Sequence, residues 1–129
     1  MSPGERASAV IVEHKEALAR GITDALYAEM PWLYDKYGER GRLKCLQDMR
    51  YNLEHLAPAA GLDDPSMFAR YAAWCDDVLR ARGIPTGELA RSLELMAAAL
   101  RERLDPEAAD AATRCVQAGV RALQPGAPS

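Results

Sequence analysis

A single phenylalanine and few valines and isoleucines leave this 129-residue chain little from which to build a sheet, because strands favour β-branched and aromatic residues. Long apolar runs are missing as well. None approaches the roughly 20 residues a membrane span needs, and MSPGERASAV lacks the charged-then-apolar order of a signal peptide, so the expectation is a cytoplasmic protein with no membrane contact. Positive charge is not in excess: 16 Lys and Arg are interspersed with 19 Asp and Glu for a net charge of -3, which offers no basic face for nucleic acid. Cysteine is scarce. Three thiols, Cys45, Cys75 and Cys115, fit neither a disulfide framework nor the paired CxxC of zinc sites, and they read as independent. CxxCH, a Gly-rich phosphate loop and a nucleophile elbow are all missing, and neither His14 nor His55 has the Glu three residues earlier that a di-iron bundle requires. Cys45 and His55 stand ten positions apart, about 15 Å along a helix, too far to act as a hydrolase pair. The chain therefore reads as non-enzymatic.

What remains is rich in Ala, Leu, Arg and Glu, with apolar residues at three- and four-residue steps, the pattern of an all-α protein. A first helix is expected from about Glu5 to Met30, with Ile11, His14, Leu18, Ile22, Ala25 and Leu26 on one stripe and Pro31 as its stop. The chain then turns through PWLYDKYGERG. A second helix, from roughly Arg40 to Ala60, buries Leu46, Met49, Leu53, Leu56 and Ala60. Asp64-Pro65 opens a third helix, whose broad apolar face takes in Met67, Phe68, Tyr71, Trp74, Cys75, Val78 and Leu79 before Gly83 ends it. The fourth begins near Pro85-Thr86 and carries Leu89, Leu93, Met96, Leu100 and Leu104; the fifth follows Asp105-Pro106 with Ala109, Ala112, Val116, Val120 and Leu123. Linkers this short imply one domain over residues 1–129, with 1–4 and 124–129 as frayed tails. About five amphipathic helices pack as a bundle or a globin-like assembly, and periodicity does not choose between them.

On the second helix Cys45, Asp48, Asn52 and His55 fall within an arc of about 80°, beside the leucine stripe. Such a strip lines a groove between helices, although boundary strips are commonly polar without binding anything. His14 is either a hydrogen-bonded residue at the core edge or a metal or haem ligand; no second His or Cys on its helix stands at chelating spacing. Cys75 and Cys115 read as core thiols, and Tyr71 and Trp74 as packing residues.

KCLQDMRYNLEHL followed by AGLDDPSMFARY is similar to the A-C-L-R-D segment, Tyr- and Leu-rich helix and A-x-G-D turn of the phycobiliprotein subunits, the globin-fold bilin carriers of photosynthetic antennae. GIPTGELARSLELMAAAL resembles that family's G-T-P segment and the helix after it, and Pro31 in EMPWLYDKYG stands where the family tends to have a proline. The resemblance runs from Met30 to about Leu123. It implies a globin-like fold, a thioether from Cys45 to a linear tetrapyrrole (bilin), and Asp48 accepting hydrogen bonds from the central pyrrole nitrogens. Gln47 replaces the family's propionate-holding arginine, leaving Arg42, Lys44 and Arg50 as the cations in reach, while Tyr51, Asn52 and His55 line the same helix. The chain is also shorter than an antenna subunit and lacks its N-terminal helical hairpin. The function implied is a sensory or regulatory domain holding a bilin or similar elongated ligand beside the second helix. The alternatives are a ligand-free globin-like scaffold acting as a homodimer or with a protein partner, the first helix being the expected interface, and a haem globin using His55 or His14.

Overall fold

The computed structural model describes residues 1–126, and in these it is all-helical. Six helices follow in chain order: α1 (Pro3–Glu13), α2 (Lys15–Glu29), α3 (Trp32–Gly61), α4 (Pro65–Ala81), α5 (Thr86–Arg103) and α6 (Pro106–Ala122). The count exceeds the expected five because the first helical stretch breaks at His14, whose φ of -109° and ψ of 18° depart from helical geometry. Neither proline nor glycine marks the break. It lets α1 pack on α3 and α6 while α2 packs on α3 and α5, so tertiary packing is its physical cause.

Side-chain caps start three of the helices. Ser2 Oγ accepts the Glu5 N–H at 3.1 Å while Glu5 Oε1 accepts the Ser2 N–H at 2.9 Å, a reciprocal box that orders the first residues and corrects the expectation of a frayed tail at 1–4. Asp64 and Asp105 each cap a helix that opens on proline, accepting from Ser66 N and Ala108 N at 3.2 Å. At the other end, Gln124 to Gly126 form an exposed turn; the remainder of the expected frayed tail, 127–129, lies outside the described residues.

The expected second helix starts earlier than Arg40. Residues of the supposed turn form a short helical run from Trp32, joined to the main part of α3 through Gly38 at φ 71° and ψ -172°, a backbone region open essentially to glycine alone. Leu33 on this run is buried and Tyr37 half-buried, so it is part of the packed body. Across the body, Ile11, Leu53, Leu56, Phe68, Met96, Leu100 and Val116 are fully buried and draw α1, α3, α4, α5 and α6 into one core. At the α4–α6 crossing a Cβ on Gly119 would lie 2.8 Å from the Phe68 ring, so the small residue sets how closely the helices meet. The α4–α5 turn is tied by Thr86 Oγ1 donating to the buried Asp76 carboxylate at 2.7 Å.

Three expected core positions are not in the core: Ala25 is exposed, and the apolar face of α4 is wider than its buried face, leaving Trp74 60% and Val78 36% exposed. At about 100° per residue these two lie on one margin of the helix, while Phe68, Cys75 and Leu79 lie on the other, with buried Ala72 and Asp76 beyond them. Among the described residues no helix is long and apolar enough to cross a membrane.

The strain-free role of Gly38 is directly testable. Nothing lies within 4 Å of a Cβ built there, so Gly38→Ala meets only the backbone penalty, expected to lower unfolding free energy by about 1–3 kcal/mol in urea denaturation.

Candidate functional site

The backbones of α3 and α5 do not approach each other within 8 Å, although each packs against α2 and α4. The gap is a chamber of about 100 Å³. Its walls are mostly apolar, from Leu26, Leu33, Met49, Leu79, Ile84 and Leu89, and α3 adds Cys45, Asp48 and Asn52. On the outer side of α3, against α4, runs an open groove of about 570 Å³. Lys44, Asp48, Tyr51 and His55 form one bank; Tyr71, Trp74, Cys75, Val78 and Arg82 form the other. Lys44, Asp48 and Cys75 border both spaces, so they make up the partition.

Helical geometry explains this division. With Leu53 and Leu56 turned to the core, successive arcs of α3 of about 60° present Cys45 and Asn52 to the chamber, then Asp48 at the boundary, then Lys44, Tyr51 and His55 to the groove. The arc expected to line one groove is thus shared between two spaces. Arg42 falls elsewhere. It lies about 120° from Asp48 around the helix and pairs with Asp24 of α2, which corrects its placement among ligand-holding residues.

The Asp48 carboxylate, 16% exposed, is held by Arg82 Nη2 at 3.4 Å and Lys44 Nζ at 3.7 Å. Burial nonetheless pushes its pKa above the ordinary value, outweighing the two cations. Cys45 is driven in the same direction: burial first, then the Asp48 charge, push its thiol up to about 11, with the Thr23 hydroxyl and Arg42 offsetting part of the effect. Cys75 is also pushed up to about 11, chiefly by burial. Both side chains are therefore neutral thiols near pH 7 rather than preformed nucleophiles.

Polar contacts set the groove's aromatic floor. Tyr71 donates its hydroxyl hydrogen to Asn52 Oδ1 at 2.5 Å, and its ring stacks on His55 with centroids 4.0 Å apart and planes 13° from parallel. His55 Nδ1 lies 2.9 Å from the Tyr51 carbonyl, which can only accept, so Nδ1 is the donor of this bond. Trp74 continues the series, 6.1 Å from Tyr71. At the chamber's other edge Tyr37 Oη donates to Glu88 Oε2 at 3.1 Å, and Lys36 Nζ pairs with the same carboxylate at 3.5 Å, bridging the short run of α3 to α5.

His14 sits at the α1–α2 break, half-buried, with Glu13 3.9 Å away, and is not among the residues lining groove or chamber. Among the described residues no group of three or more His, Cys, Asp or Glu side chains is arranged to hold a metal ion. The groove's second bank is built from Tyr71, Trp74 and Cys75, which the sequence presents as packing residues. The signal was present in the width of the α4 apolar face, about 140° when a core stripe needs only about 100°. No protein-family model and no curated protein matches the chain.

Because Cys45 reacts only through its thiolate, a pKa raised to about 11 keeps the reactive fraction small and still growing where an ordinary thiol near 9 levels off. Alkylation by iodoacetamide, followed at Cys45 by peptide mass spectrometry, is expected to rise about tenfold per pH unit from about pH 7 through about 9.5. A plateau below pH 9 would contradict the assigned environment.

Proposed function

We propose that this is a non-enzymatic, globin-like domain related to the phycobiliproteins, which holds a bilin or similarly elongated, flat ligand in the groove between α3 and α4 and serves a sensory or regulatory role. The observation that carries the reading is the pairing in one open groove of a stacked aromatic floor, His55 on Tyr71 with Trp74 beyond, and a half-buried Asp48 flanked by Lys44 and Arg82. At about 570 Å³ the groove lies within the usual range for small-molecule sites. Its residue types suit a tetrapyrrole: rings to stack on, a carboxylate to accept from pyrrole N–H groups, and two cations for acidic arms. A bound bilin supplies absorption of visible light. Lys44 and Arg82 take the role that the resemblance assigns to the arginine replaced by Gln47.

Attachment is non-covalent in this reading. Cys45 lines the chamber rather than the groove, and Cys75, which borders both, is held as a neutral thiol by burial, which outweighs the opposing pull of Arg82. The scaffold alternative draws on a different observation. Trp74, Val78 and Tyr51 are 60%, 36% and 43% exposed along the same groove, an aromatic-rich patch of the sort that anchors protein partners. The first helix fits that role less well, because its stripe, with Ala7 and Ile11 fully buried, is already used against α3 and α6.

Titrating biliverdin into the protein in a Trp32→Phe background tests the reading through Trp74 emission and the visible spectrum. Saturable quenching with a shifted absorption band is expected, weakened about tenfold or more by Asp48→Ala, with no zinc-dependent fluorescence left on a denaturing gel. An unchanged spectrum would remove the bilin. Retained covalent pigment lost in Cys45→Ser would restore attachment at Cys45.

A further inference from the structure

The chamber between α3 and α5 lies apart from the groove's aromatic floor, and one polar side chain on its wall is only partly satisfied. Asn52 is 1% exposed and lines the chamber wall. Its oxygen is taken by the Tyr71 hydroxyl at 2.5 Å, which fixes the amide so that nitrogen, not oxygen, faces away from α4's phenol. That nitrogen carries two hydrogens, and among the described residues its sole acceptor is the Met49 sulfur at 3.7 Å. A thioether is a weak acceptor, and it takes only one of the two hydrogens, which leaves the second without a protein acceptor at the chamber wall. The nearby hydroxyl of Ser92 offers no hydrogen of its own, since it donates to the Leu89 carbonyl at 2.7 Å.

We propose that the chamber is a second binding compartment, for a compact uncharged ring or branched group bearing one hydrogen-bond acceptor, to which Asn52 Nδ2 donates. Charge is excluded because the carboxylates on the chamber are already matched: Asp48 by Arg82 and Lys44, Glu88 by Lys36 and the Tyr37 hydroxyl. An ionic guest would be desolvated against apolar walls without a free partner. Size follows from volume. An apolar cavity of about 150 Å³ admits benzene, so a chamber of about 100 Å³ takes a guest of at most about six heavy atoms, such as a single five-membered ring. The proposal stands independently of what occupies the groove.

Two isosteric probes test it on the unmodified protein: cyclopentanone, with a carbonyl acceptor, and methylenecyclopentane, which has CH₂ in its place. The readout is protection of Cys45, which lines the chamber, from iodoacetamide, with Trp74 emission followed separately in the Trp32→Phe background as the report from the groove. Both probes are expected to slow Cys45 alkylation, cyclopentanone at about two- to tenfold lower concentration, with Trp74 emission unchanged. Asn52→Leu, which keeps the volume and removes the donor, is expected to erase the difference between the probes. Equal protection by the two probes in the wild type would overturn the role of Asn52, and no protection by either would overturn the compartment itself. The wild-type comparison decides the matter even if Asn52→Leu does not fold, and neither result bears on biliverdin binding in the groove.

Discussion

Leu53 and Leu56 are buried completely, and the rotation of α3 about its axis that their burial imposes determines where every other side chain of that helix points. Each fully buried leucine contributes about 1.5–3 kcal/mol through removal from water, against about 0–1 kcal/mol for an exposed ion pair. The core contacts therefore win any conflict with the surface charges, and the polar residues take the directions left over. Asn52, adjacent in sequence to Leu53, is carried inward with it and must find partners there, which it does in Tyr71 and, weakly, Met49. Had the leucine face turned by one residue, the same residues would present a different set to α4 and α5.

The second governing constraint is negative. Since α3 and α5 are kept apart by the helices around them, the space between must be filled by side chains or left open, and short residues stand where larger ones would close it. Cys45, Ser92 and Gly41 all line the chamber. Tyr37, Lys36 and Glu88 span its edge instead, and a phenol and an ammonium sharing one carboxylate make a bridge of modest strength.

How far this was legible in the sequence depended on whether a signal is local. Helix starts at Asp64-Pro65 and Asp105-Pro106 are written in side chains that cap the neighbouring amides, and both were read correctly. The leucine and methionine stripes of α3 and α5 were likewise plain, because periodicity reports directly on one buried face. The break at His14 left no local mark, being imposed by the different partners of α1 and α2. For the site, the strip from Cys45 to His55 was visible as an arc, but its division between two spaces depends on where α4 and α5 lie, which spacing within one helix does not encode. Arg42 was misplaced for the same reason: charge and proximity in sequence favoured it, and the helical angle sent it to Asp24.

Asp48 and Cys75 form one wall with two faces. A carboxylate that belongs to both spaces cannot move toward a guest on one side without altering the field and the room available on the other. The partition between the two spaces is in this sense one set of side chains, so that a substitution at Asp48 or Cys75 reshapes both spaces at once.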